Sequence, residues 1–159
     1  MPEMDEAVMR SWKGIVLVSA VFLISSCVSR SKAIQLQGPS MEPSYPDGTT
    51  LRIEEIDVSI LERGDLVYFQ LPINSNFYVK RVIGLPGEAI HIESRQIQIN
   101  GVPLVEPYPI ISDESEEGSY TLGQGQYFVL GDNRPDSLDS INFGPIQASD
   151  ILGRATPIR

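Results

Sequence analysis

Two side chains in this 159-residue chain have the types needed to make and break an acyl bond together. Ser40 lies in Gly38-Pro39-Ser40-Met41-Glu42-Pro43, and Lys80 lies in Tyr78-Val79-Lys80-Arg81-Val82-Ile83-Gly84-Leu85-Pro86-Gly87-Glu88. A hydroxyl is a poor nucleophile until a base removes its proton, and a lysine serves as that base only when desolvation keeps it neutral. Other bases are scarce. The single histidine, His91, sits in an alternating strand pattern, so a Ser-His-Asp triad would depend on it alone, and a Ser–Lys dyad is the remaining catalytic arrangement. Of the three lysines, Lys13 and Lys32 flank an apolar N-terminal run, and the cations beyond residue 32 other than Lys80 are arginines, which stay charged. Bringing a lysine from about 10.4 to about 8 takes roughly 3 kcal/mol of selective destabilisation of the ammonium, within the reach of burial. Judged without their contexts, a lysine snorkelling from a sheet edge and a serine in a Pro-rich turn are both ordinary. The prolines around Ser40 restrict the backbone and help hold an attack geometry.

The elements that must position these groups read as strands. Residues 51–53, 65–71, 77–83, 89–93, 96–99 and 127–130 are short runs rich in β-branched or aromatic residues with period-2 stretches. Ser94-Arg95 and Asn100-Gly101 read as tight turns, and the acidic stretch 112–118 reads as an exposed loop. Twelve prolines and thirteen glycines argue against long helices. The fold class expected is all-β, with coiled β-sheets or a partly open barrel forming one compact catalytic domain over residues 33–159. Alternation along 77–83 places Tyr78, Lys80 and Val82 on one face, so Lys80 has apolar neighbours that disfavour its charge. Alternation gives His91 no place beside Ser40, and no catalytic role is expected for it.

Ahead of that domain, a short tail (1–13) leads into an uncharged apolar run within 14–30. Fifteen helical residues span only roughly 22 Å of a bilayer core of about 30 Å, so flanking residues must contribute, with Lys13, Arg30 and Lys32 snorkelling at the ends. A single N-terminal transmembrane helix is expected, because the segment is terminal, apolar on all faces and bracketed by cations. Ile24-Ser25-Ser26-Cys27 also resembles a lipobox, which would make the segment a cleaved lipoprotein signal. Either reading puts residues 33–159 on the far side of the membrane. Residues 1–32 carry four Lys/Arg and three acids, whereas the remainder carries eight and eighteen. A surface so acidic repels nucleic acid, and no nucleic-acid partner is expected. With one cysteine the chain has no intrachain disulfide and neither a Cys₄ nor a Cys₂His₂ zinc site; no metal or cofactor is implied.

The Ser40 and Lys80 segments, followed by Gly131-Asp132-Asn133-Arg134…Ser137-Leu138-Asp139-Ser140, resemble the three signature boxes of bacterial type I signal peptidases, in order, from about Gln37 to Arg154. The resemblance implies a membrane-anchored serine endopeptidase that removes signal peptides from exported preproteins after small residues, through an acyl-enzyme, with the bilayer and the preprotein signal peptide as partners. It favours an anchor that is retained. It makes Ser40 the nucleophile, with its own N–H as an oxyanion donor, and Lys80 the general base. Ser137 then matches a residue that hydrogen-bonds the lysine, Asp139 a carboxylate near the site, and Asp132 the partner of Arg81. Met41, Tyr78 and Val79 would line shallow substrate pockets. Two departures stand out. Gly38 occupies the place of a serine that supplies a second oxyanion donor, and Ile141 the place of an arginine, which leaves Asp139 in need of another partner, with Arg134 the candidate. Other functions compatible with the sequence are a conjugative-transfer processing peptidase, a self-cleaving repressor, disfavoured by the anchor and the absence of a basic DNA-binding segment, and a non-enzymatic anchored β-domain with a degenerate site.

Overall fold

The computed structural model describes residues 31–112 and 116–158. The anchor expected over 14–30, and Cys27 with it, lie outside the described residues. Among the described residues no helix is long and apolar enough to cross a membrane.

The architecture is all-β. A curled seven-stranded sheet is built from β1 (Ser31–Gln35), β2 (Thr50–Glu54), β3 (Leu66–Gln70), β4 (Phe77–Gly84), β9 (Gln126–Leu130), β10 (Ile146–Gln147) and β11 (Ile151–Pro157), in the order β1-β2-β11-β3-β4-β9-β10. A second sheet, in the order β7-β6-β5-β8, holds β5 (Ala89–Glu93), β6 (Gln96–Ile99), β7 (Val102–Pro103) and β8 (Gly118–Thr121). Most strands lie where period-2 patterning puts them. At the β5–β6 turn Ser94 and Arg95 have φ of 48° and 70°, and at the next turn Asn100 and Gly101 have 53° and 79°, the left-handed pairs that two-residue hairpins use. Five strands lie outside the expected runs, the two-residue β7 and β10 among them. β1 begins at Ser31, so Lys32 is part of the sheet, where its ammonium sits 4.4 Å from the Tyr68 ring centroid, rather than only flanking the anchor. β8 starts at Gly118, at the end of the acidic stretch. β11, not anticipated, is a central strand between β2 and β3.

Alternation along β4 divides the core. Val82, with Tyr78 against it, packs with Val67, Phe69, Tyr127 and Val129, whereas Val79 joins Leu36, Met41, Leu51, Leu66 and Tyr68. Ile83 belongs to a third cluster with the isoleucines of β5 and β6. Gly84 is where the two sheets meet: a β-carbon there would lie 2.9 Å from Leu122 Cδ1 and collide with Ile90, so without a glycine these side chains would have to shift. The end of the lysine segment is thereby explained as structure. The Glu88 carboxylate accepts from the Leu85 N–H at 2.7 Å and pairs with Arg63 at 2.6 Å, closing the turn between β4 and β5.

Candidate active site

Ser40 stands on a loop between β1 and β2 that is fastened from both ends. The Pro39 carbonyl accepts the Glu42 N–H at 2.9 Å, and the Met41 carbonyl accepts the Tyr45 N–H at 2.9 Å. Gly38 has φ of 83° and donates its N–H to the Asp47 carboxylate at 2.8 Å, so this residue offers neither a side chain nor a free N–H as a second oxyanion donor. Met41, expected at the substrate pockets, is instead 1% exposed and packed on Val79, Tyr68 and Leu51.

Lys80 comes from the middle of β4 with 3% exposure. Val67 faces it across the β3–β4 register, and Tyr78 and Val82 flank it on the same face. Ser40 and Lys80 both line a cleft of about 270 Å³ between residues 34–37 and 77–80, and Tyr78 and Val79 line it too. No hydrogen bond to Lys80 Nζ is formed among the described residues; catalytic hydrogen bonds are often long before substrate arrives. Burial pushes Lys80 down to about 8, against the opposing pull of Asp139 and Asp132. An amine that is neutral in mildly alkaline water, beside an accessible hydroxyl, is equipped for general-base activation of that hydroxyl.

The third segment packs against both. Asn133 donates its backbone N–H to the Ser40 carbonyl at 3.1 Å and its side-chain amide to the Pro39 carbonyl at 3.2 Å. A β-carbon on Gly131 would sit 2.5 Å from the Ser40 carbonyl oxygen and collide with Ser137, so the close approach of these segments requires glycine. Gly131 and Asn133 are thus in direct contact with the Ser40 turn. Asp132 forms a two-pronged pair with Arg81, at 2.8 and 2.5 Å. Burial alone would lower Arg81; its hydrogen bonds and charge attraction to Asp132, with help from Tyr108 and Tyr45, leave it raised.

Asp139 has partners different from the one expected. Its carboxylate accepts from the Ser137 hydroxyl at 2.7 Å, the Gly131 N–H at 3.0 Å and the Ile141 N–H at 3.2 Å, the last as N-cap of the four-residue helix α1 (Ser140–Phe143). Arg134 pairs with Glu106 at 2.5 Å and donates to the Gly131 carbonyl at 2.9 Å. Ser137, expected to bond the lysine, donates its hydroxyl hydrogen bond to Asp139. Glu106 and Tyr108 were not singled out by sequence; they lie in a Pro-rich stretch without periodicity, and their buried charge and hydroxyl find partners only in three dimensions. His91 lies on the second sheet, half-exposed, with Nδ1 2.9 Å from the Ser119 hydroxyl, and does not line the Ser40 cleft.

Comparison with known proteins identifies the family. Residues 9–158 match the family model described as signal peptidase, peptidase S26. Signal peptidase I V of Bacillus subtilis is 32% identical over 91% of this chain and 95% of its own. Signal peptidase IB of Staphylococcus aureus is 30% identical over 89% of this chain and 85% of its own. A crystal structure of a signal peptidase I from Enterococcus faecalis superposes with a TM-score of 0.54 at 33% identity, covering 60% of this chain and 97% of that one. With sequence, fold and family model in agreement, the chain belongs to the signal peptidase I family and is a serine endopeptidase of the S26 type.

Proposed function

We propose that this chain removes signal peptides from exported preproteins with Ser40 as nucleophile and Lys80 as general base, held to the membrane by residues 14–30 with the catalytic domain on the trans side. The observation that carries the reading is a lysine 3% exposed, lowered to about 8, in the same cleft as the serine of the first segment. The neutral Lys80 amine takes the Ser40 Oγ proton as Oγ bonds to the scissile carbonyl carbon. The tetrahedral oxyanion is met by the Ser40 N–H, and the Lys80 ammonium returns the proton to the departing amine as the C–N bond breaks. The ester is then hydrolysed by water that has given a proton to Lys80, regenerating Ser40. Tyr78 and Val79 bound the cleft where small side chains before the cut would rest. Asp132 fixes Arg81, and Ser137 and Asp139 fix the third segment behind Lys80. By the reading of the sequence, no metal or cofactor takes part.

The test is cleavage of a preprotein carrying an Ala-x-Ala site by the full chain in detergent. Ser40→Ala should lose at least about a thousandfold in rate. The wild-type rate on a soluble peptide should be low at acid pH, where Lys80 is protonated, and rise to a plateau through an apparent pKa near 8. His91→Gln should leave that limb in place. Retention of more than a few per cent of activity by Ser40→Ala, or a limb that disappears with His91, overturns the assignment.

A further inference from the structure

One stretch outside the three signature segments touches the Ser40 loop and both of the other segments. Residues 106–111, Glu-Pro-Tyr-Pro-Ile-Ile, pass between β7 and β8. The Pro109 carbonyl accepts the Ser44 hydroxyl at 3.0 Å, on the Ser40 loop. The Tyr108 ring centroid lies 3.8 Å from the Arg81 guanidinium, next along β4 from Lys80. Ile111 pairs with Asn133, donating its N–H to the Asp132 carbonyl at 2.8 Å and accepting the Arg134 N–H at 2.9 Å. Glu106 accepts from Arg134 at 2.5 Å and from the Tyr108 hydroxyl at 2.8 Å. The side chains of Arg134 and Glu106 are only 3% and 9% exposed, so the pair is shielded from the screening that weakens surface ion pairs.

The consequence reaches the site through one peptide unit. Arg134 Nε holds the Gly131 carbonyl at 2.9 Å, and the Gly131 N–H is held by Asp139 at 3.0 Å. Gly131 in turn abuts the Ser40 carbonyl so tightly that a β-carbon has no room. Asp139, meanwhile, has only hydroxyl and N–H partners among the described residues, and the guanidinium closest to it in sequence is engaged by Glu106. We propose that Glu106 is a positioning residue of the reaction: it holds Arg134 on the Gly131 carbonyl and away from Asp139, which keeps the Ser40 turn placed and the Asp139 charge free to act on Lys80. Tyr108 braces it, hydroxyl on Glu106 and ring on Arg81. Pro107 and Pro109 fix φ on either side of Tyr108 and lower the entropic cost of holding it there. The inference rests on Ser40 and Lys80 being the reacting pair.

The charged and titratable groups around Lys80 set the sign of the test. Asp139 and Asp132 of the third segment act directly on Lys80, with Tyr78 and Arg81, the latter bound to Asp132, beside it on β4 and uncharged Val67 opposite it on β3; Arg134 lies further out, bound to Glu106 of residues 106–111, with Tyr108 on Glu106 and Arg81. Glu106→Gln leaves one guanidinium uncompensated. Whether Arg134 stays or swings to Asp139, the field at Lys80 becomes more positive and its ammonium less favoured.

In the full chain, assayed on a soluble peptide, Glu106→Gln should lower kcat by about tenfold or more with KM within about twofold. The acidic limb should move to lower pH by roughly half a unit or more. Glu106→Asp, which keeps the charge, should leave the limb near its wild-type position. A variant that melts at lower temperature but keeps kcat and the limb unchanged makes Glu106 structural only and overturns the proposal. Should Glu106→Gln fail to fold, Tyr108→Phe removes the bond to Glu106 while keeping the ring on Arg81. It should lower kcat about two- to threefold in the same direction, and an unchanged kcat overturns the proposal equally. If Ser40→Ala is active, the underlying reading falls; if Ser40→Ala is inactive while Glu106→Gln matches wild type, only the role of Glu106 falls.

Discussion

Lys80 and Arg81 are neighbours on β4, facing opposite sides of the strand, and both are buried, at 3% and 6% exposure. Their pKa values shift in opposite directions. Arg81 is gripped by the Asp132 carboxylate, the Gly64 carbonyl at 2.8 Å and the Tyr108 ring, and its pKa is raised. Lys80 points toward Val67, Tyr78 and Val82, with carboxylates acting on it without a hydrogen bond, and burial prevails. Similar burial therefore yields a permanently charged structural cation on one face and a titratable amine on the other. Direct pairing, more than depth, decides which. The planar guanidinium fork suits a two-pronged partner, whereas an ammonium left without one gives up its proton readily.

Erasing the difference should have the largest effect. Lys80→Arg places a group that cannot deprotonate where a base is needed, and preprotein cleavage should fall by at least about a thousandfold while the protein stays folded. Substantial activity in this variant would mean that the base lies elsewhere.

Breaking the other face should cost stability. Arg81→Met strands Asp132 in the interior without its partner, and chemical denaturation at pH 7 should show a loss of about 3–5 kcal/mol. A loss below about 1 kcal/mol would show that the pair is far less desolvated than its geometry indicates.

Lys80→Met, by contrast, should stabilise. The folded pKa of about 8 lies below the ordinary lysine value of 10.5. Below pH 8 the lysine is protonated in both states, and the cost of burying its charge is fully present. Between about 8 and 10.5 the folded state releases its proton first, so wild-type stability rises with pH across that window and the cost is gone above it. Lys80→Met should therefore gain on the order of 3 kcal/mol near neutrality, shrinking as pH climbs from 8 toward 10.5. A gain independent of pH would point to packing instead.

Much of the fold was legible because its signals are local. The alternating runs that became β2 to β6 and β9, and the turn residues of the β5–β6 hairpin, act over a few positions. β11 was not legible. Gly153 and Arg154 interrupt its apolar pattern, and its pairing of Ala155 with Ile53 and with Leu66 spans most of the chain. A β-carbon at Gly153 would stand 2.6 Å from the Glu54 carbonyl, a constraint that no local pattern records. Met41 points into the core rather than the cleft for a similar reason: the turn's direction is set by what lies beneath it.

The same division holds at the site. The amino-acid sequence alone determined the proposed reacting types, a serine between prolines and a lysine among apolar strand neighbours, because a nucleophile and its flanking motif are properties of consecutive residues. Tertiary structure decided the ionisation of that lysine, the pairing of Arg134 with Glu106 instead of Asp139, and the contact of Gly131 with the Ser40 turn. Desolvation and ion pairing depend on which atoms surround a charge, and here those atoms come from segments far apart in the chain.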